Sequence, residues 1–263
     1  MNRTRLYVVA LTVVITGVLA GASVVAQGTY AISVLSTNAI VGPLTSIVED
    51  LNRGGGPQVK VEFDTSPSIN RRLAAGTVTG VNVLVSASGT VDQAIKDGKA
   101  IADTRVRVGR VGVGVAIRRG GPRPDVSSVE ALKAALLKAD AIVYSQGTSG
   151  VYVVQLLEKL GIAAQVKAKA VQLTTGADMI ERVEKSRGNE IGMTQISEIL
   201  RSAEETKGAI VYAGPLPASI QNYTMFDAVV MAGLRNEDIA RAFVRNLTAP
   251  ATRKLLAANA WEF

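Results

Sequence analysis

The chain has 263 residues, which suits one large α/β unit or two modest lobes. Hydrophobic residues make up 48% and aromatics only 4%, so the core is built from Val, Ala, Leu and Ile, which argues against a site of stacked rings. The formal charge is +7, but the basic residues are scattered and not interleaved with aromatics, which argues against nucleic acid and fits anions or an anionic membrane surface. There is no Cys and no His. That excludes zinc sites of the usual ligand types, Ser-His-Asp and Cys-His catalysis, and thiol redox chemistry. No Ser-x-x-Lys pair offers a substitute. No cofactor and no metal held by side chains is expected.

Residues 1–26 read as an export leader. "MNRTR" is a basic start, and "LYVVALTVVITGVLAGASVV" is an apolar run. Val24 and Ala26 form a small −3/−1 pair, so cleavage is expected between Ala26 and Gln27. The apolar run is also close to the length of a membrane anchor. With cleavage, the mature protein is exported to the periplasm.

Beyond the leader, strand-like and helix-like stretches alternate. "YAISVLS" (30–36) is a short buried strand. Ile40, Leu44, Ile47, Val48 and Leu51 then recur at helical spacing until "RGGGP" stops them. "QVKVEFD" (58–64) and "VNVLVSA" (81–87) are strands, each followed by a short helix, at 68–76 and 90–99. This order implies a mainly parallel sheet with helices on both faces, and ligands at the carboxyl ends of its strands. That rule selects the loops Ser36–Asn38, Thr65–Ser68 and Ser86–Thr90. Their hydroxyls also suit ordinary N-caps.

"RVRVGRVGVGVAIRRG" (105–120) is a long extended stretch. Gly112 and Gly114 suggest a dinucleotide fingerprint, but no third glycine opens a helix. "SSVEALKAALLKA" (127–139) is a helix with Ser127 and Glu130 in capping-box spacing. "DAIVYS" (140–145) is a strand, and Val153, Leu156, Leu157 and Leu160 mark the next helix. A strand at 168–173 and a helix at 176–188 follow. "EIGMTQISEIL" (190–200) reads as a short strand and a polar turn carrying Thr194, Gln195 and Ser197. A second extended stretch (209–220), a strand (225–233) and two helices (236–247 and 250–259) complete the chain.

The two extended stretches divide the mature chain. Residues 27–108 and 218–263 form lobe I, and residues 109–217 form lobe II, with two crossings that act as a hinge. Between strand and helix lies "GTSG", Gly147, Thr148, Ser149 and Gly150. A nucleotide-binding loop of Walker type needs a Lys before its Ser/Thr, and none occurs before Lys159. The helix start still offers free backbone N–H groups to an anion. Thr148 or Ser149 equally suits a cap on its own helix. Arg71 follows the Thr65–Ser68 loop and either pairs with a carboxylate ligand or faces solvent. Asp64, Asp92, Asp178 and Glu190 sit at element ends, where a carboxylate is a surface charge or cap more often than a catalyst.

Several stretches carry a resemblance over nearly the whole mature chain. They are "ISVLSTNAIVGPLTSIVEDL", "VKVEFDTSPSINRRLAAGTVTGVNVLVSASGTVDQAIKDGK", "EIGMTQISEI" and "LTAPATRKLLAANAWEF". In these the chain resembles the periplasmic molybdate-binding-protein family of ABC transporters. It is similar to a divergent branch that also includes an exported aconitate isomerase. The resemblance implies a two-lobed type II periplasmic binding fold around an anion cleft. It implies a site of hydroxyls and backbone N–H groups: Ser36 and Thr37 after the first strand, Ser66 or Ser68 after the second, the helix start at Thr148, Ser149 and Gly150, and Gln195. The chain departs from the family pattern at Thr37-Asn38-Ala39 and at Gln195, where a tyrosine is usual. The implied function is delivery of a small anion, a molybdate-like oxyanion or a small carboxylate, to an ABC permease by a monomeric carrier. The alternative is a periplasmic isomerase of a small polycarboxylate, for which no residue of the sequence declares itself as the base.

Overall fold

The computed structural model describes residues 30–263. The expected leader lies outside the described residues. The chain runs β1 (Ile32–Thr37), α1 (Val41–Arg53), β2 (Val59–Asp64), α2 (Ser66–Ala74), β3 (Val83–Ala87), α3 (Ser88–Lys96) and the long β4 (Val106–Arg118). It continues through α4 (Val129–Lys138), β5 (Ala141–Ser145), α5 (Thr148–Lys159), α6 (Ala163–Val166), β6 (Ala170–Leu173) and α7 (Gly176–Glu184). Then come β7 (Glu190–Gln195), α8 (Ile196–Glu205), β8 (Ile210–Pro215), β9 (Tyr223–Val230), α9 (Glu237–Asn246) and α10 (Pro250–Ala258).

All nine strands join one sheet, in the order β2-β1-β3-β9-β4-β7-β5-β6, with β8 also on β4. The expected parallel pairing holds for the outer three strands at each end: β2-β1-β3 and β7-β5-β6. The strands between them, β9 and β4, pair antiparallel with their neighbours. A direct return from one half to the other needs no crossover helix, and antiparallel pairing permits it.

Alternation along the strands builds a core on each face of each half. In β1, Val34 packs with Ile40, Leu44 and Phe226, while Leu35 faces Ile69, Leu84 and Val91 on the other side. In β5, Ile142 joins Val113, Leu156 and Met193, while Val143 joins Met179, Val183 and Ile199. Each such residue points to the opposite face from its neighbour, as the period of a strand requires. Fully burying each Leu, Ile or Val contributes roughly 1.5–3 kcal/mol. The cores containing Val34 and Leu35 draw on residues 32–111 and 226–261, and those containing Ile142 and Val143 on residues 113–220.

Local chemistry corrects three expectations. The cap of α4 is Ser128, whose hydroxyl accepts from the Ala131 backbone N–H at 3.1 Å, not Ser127. Asp125 accepts from the Ser127 backbone instead, at 2.9 Å. The expected polar turn after residue 193 does not exist: β7 runs through Gln195 and α8 begins at once. The second extended stretch is broken, because β8 ends at Pro215 and a 3-10 turn occupies 218–220.

The chain passes between the halves at two adjacent points. β4 pairs with β9 up to Gly112 and with β7 from Val113. The side-chain amide of Gln221 brackets Val113, accepting from its N–H at 2.9 Å and donating to its carbonyl at 3.0 Å. Nearby, the buried carboxylate of Asp227 in β9 accepts from Arg105 Nε at 2.8 Å and also from Arg107. Arg105 in turn reaches Asp92 of α3 at 2.5 Å. Replacing a buried charged acceptor strands its donors. Asp227→Asn is therefore expected to cost about 1–3 kcal/mol in a urea unfolding titration.

Candidate functional site

The strands β1, β5 and β7 end at the seam between the halves; β1 and β7 run straight into a helical start, and β5 reaches α5 through Gln146 and Gly147. Thr37, Gly147 and Gln195 are the N-cap positions there, and none makes a side-chain cap bond. Backbone N–H groups at such starts have no partner within their helix. Around them closes a cavity of about 20 Å³. Its first wall carries Thr37, Asn38, Thr65 and Ser66; its second carries Ser145, Thr148, Ser149, Gln195 and Glu198. That volume holds about one water-sized group, so a larger guest enters only when the walls part. Larger grooves of about 350, 480 and 660 Å³ lie elsewhere, but none of the three gathers helix starts from both halves. A fourth groove, of about 350 Å³, borders Thr148 and runs past Ser88, Tyr152, Tyr223 and Thr224.

Within the second wall the hydroxyls form a chain. Ser149 Oγ lies 3.3 Å from Thr194 Oγ1, and the Thr194 hydroxyl donates to Glu198. Gln195 Nε2 donates to Thr224 Oγ1 at 2.9 Å and to Thr148 Oγ1 at 3.3 Å. Gln195 is only 3% exposed, and its Oε1 is buried with no hydrogen-bond partner. Across the seam, Ser197 Oγ donates to the Ala39 carbonyl at 2.7 Å, tying α8 to the turn after β1. Gly150 is dictated by packing. A Cβ there would lie 1.6 Å from the Ser145 carbonyl oxygen, so only glycine lets α5 start this close to β5.

The structure brings Thr37, Ser66, Thr148, Ser149 and Gln195 together in the cavity wall. Ser66 Oγ also accepts from the Ala87 backbone N–H at 3.2 Å. Ser36, Ser68, Arg71 and Gly150 are not in that wall. Ser36 points to the face of β1 that carries Val34, where its hydroxyl is buried without a partner. Ser68 is engaged locally: its hydroxyl donates to Asp64 at 2.8 Å and its N–H to Thr65 Oγ1 at 3.2 Å. Arg71 is exposed on α2, while its neighbour Arg72 pairs with Glu62 and Asp64.

Glu198 is the residue that the sequence reading misses. It is 8% exposed, sits in the third position of α8, and presses against the first residue of α7. A Cβ on Gly176 would come within 2.7 Å of its carboxylate. The available signal is its spacing: a Glu three residues after an N-cap reaches back to the helix start. Burial pushes this carboxyl above the usual range, while the Thr194 hydroxyl, Arg201 and the Gln195 backbone pull the other way.

The fold and the seam define a two-lobed type II periplasmic binding fold. Over residues 32–262 the chain matches the model of the bacterial extracellular solute-binding proteins, and it belongs to that family. It is similar to an aconitate isomerase from Pseudomonas sp., at 26% identity over 239 residues, covering 88% of this chain and 87% of that one. In structure it is similar to the periplasmic molybdate-binding protein of Azotobacter vinelandii, with TM-score 0.72 and 16% identity over 88% of this chain and 99% of the other. It is also similar to the tungstate-binding protein of Desulfovibrio alaskensis G20, with TM-score 0.60 and 13% identity over 86% and 93% of the two chains. At these identities the two structures bear on the fold alone.

The raised Glu198 carboxyl links stability to pH. The folded protein keeps this proton to higher pH than the unfolded chain does. The contribution is fully present below the unfolded value of about 4.3 and is lost as pH rises to the folded value. Glu198→Gln removes that loss. In urea titrations across pH it should match the wild type at the acid end and exceed it at neutral and alkaline pH.

Proposed function

We propose that this protein is an exported solute-binding protein that closes two lobes around a small anion and delivers it to an ABC permease. The lobes are residues 27–108 with 218–263, and residues 109–217. The observation that carries the reading is the cavity wall: hydroxyls and uncapped helix starts from both halves meet in one small space. Hydroxyls and helix-start N–H groups bind anions through hydrogen bonds and the helix dipole. The residues assigned to the ligand are Thr37, Ser66, Thr148, Ser149 and Gln195. Hinge closure about the paired strands β4 and β9 is the motion that fits this layout. The ligand is a molybdate-like oxyanion or a small carboxylate, and the carrier acts as a monomer in the periplasm after loss of its leader.

Glu198 and the isomerase relative favour a second reading, isomerisation of a small polycarboxylate. Such a reaction moves a proton from one carbon to another across a double bond, and it needs a base beside the substrate carbon. Glu198 is the carboxyl group in the cavity wall. A raised carboxyl works as a base nearer neutral pH than an ordinary one does.

The first reading is tested by thermal shift with molybdate, tungstate, sulfate, citrate and aconitate. At a hundredfold excess over Kd, binding stabilises by about 2.7 kcal/mol, or about 5–10 °C in Tm. Thr148→Val and Ser149→Ala should each reduce that shift, and no shift with any anion would sink the reading. Interconversion of cis- and trans-aconitate followed over time tests the second. Turnover that Glu198→Gln abolishes would establish it; binding without turnover would leave the carrier.

A further inference from the structure

The cavity wall contains acceptors as well as donors. Gln195 Oε1 is buried without a donor, and the Glu198 carboxylate receives a hydroxyl from Thr194 on one oxygen. No Lys or Arg stands in that wall. A fully deprotonated oxyanion would set its own charge beside Glu198 and would leave the Gln195 oxygen unpaired. Both costs count in a space of about 20 Å³, which holds about one water-sized group. A guest that retains a proton can share it with Glu198, which removes the first of these costs.

We propose that the cavity takes an anion in a form that retains one acidic proton, and that Glu198 shares that proton with the ligand. The class is a hydrogen-bearing oxyanion or a partly protonated carboxylic acid. This rests on the anion-binding reading above and narrows it. The proton bridges a ligand oxygen and a Glu198 oxygen, so one negative charge is held in the cavity rather than two. No covalent bond to the protein forms.

The surroundings of Glu198 allow this sharing. On its own helix, Arg201 is the charged group that favours the ionised form. From β7 come the Thr194 hydroxyl and the Gln195 backbone, both neutral. From α5 comes the Ser149 hydroxyl, one bond further along the chain of hydroxyls. From α7 comes Gly176, and the acidic residue of that turn, Asp178, is engaged in its own capping box with Thr175. The carboxyl therefore has one cation near it and no second free acid in contact.

The test is calorimetric titration of cis-aconitate, trans-aconitate and molybdate from mildly acid to alkaline pH, in paired buffers of different ionisation enthalpy. On the alkaline side Kd should rise about tenfold per pH unit, with uptake of about one proton per anion bound. In Glu198→Gln binding should persist while the slope and the uptake shrink. A slope unchanged in Glu198→Gln puts the proton on the ligand alone and overturns the role of Glu198. Binding in the wild type with no slope and no uptake overturns the proposal while leaving the anion site standing. No binding of any probe overturns both. If Glu198→Gln does not fold, Thr194→Val replaces it: loss of the hydroxyl that favours the charged form should move the break to higher pH, and an unmoved break overturns the proposal.

Discussion

A helix that begins directly off a strand end has no room for a capping loop. At the ends of β1 and β7 this geometry leaves backbone N–H groups that no side-chain cap engages, and α5, two residues past the end of β5, starts without a side-chain cap as well. Side-chain caps serve α2 through Thr65, α4 through Ser128 and α7 through Thr175, while α3, α9 and α10 also start without one. What sets the seam apart is that helical starts without side-chain caps, from both halves, border one cavity. The requirement for glycine at 150 follows from the same constraint, since α5 can start against Ser145 only without a side chain there. Helix starts that border a shared space from both halves make the seam a place suited to negative charge.

Glu198 runs against that tendency. Burial pushes this carboxyl toward its neutral form, and Thr194 and Arg201 favour its charged form. Such opposed influences leave a group responsive to what enters the cavity. A carrier uses that response to choose the protonation state of its cargo, and an isomerase uses it to move a proton. The proton-sharing and isomerase readings both use this side chain, and the difference between them lies in whether a substrate carbon comes within reach of it.

Much of the fold was legible in the sequence. Apolar β-branched runs such as "ISVLST" and "AIVYS" announced their strands, and the spacing of Val153, Leu156, Leu157 and Leu160 announced α5. The start of α8 was not legible as a helix, because Thr194, Gln195 and Ser197 are polar yet buried: the polarity belongs to the cavity rather than to solvent. The site was legible at the level of loops and illegible at the level of single residues. Ser36 and Thr37 differ by one position, and strand alternation sends one side chain away from the seam and keeps the other beside it. Ser66 and Ser68 differ by two, and the turn of α2 keeps the first in the wall while Asp64 takes the second. For Glu198 the spacing from its N-cap was the one signal in the sequence; its burial is set by surroundings that come from α5, α7 and β7 together.

The pairing of Gly112 with Tyr223 bears on the order in which the molecule assembles. The segment between them is continuous, and its ends sit one strand spacing apart, about 4.8 Å. It can gather its cores from its own residues as soon as it is complete. The other half cannot. Its sheet lacks β9 and its core lacks Phe226, Phe243 and Trp261 until the last stretch of chain is present. The half that holds the amino end thus needs the last stretch of chain to complete it, since the β3 edge has its partner only in β9.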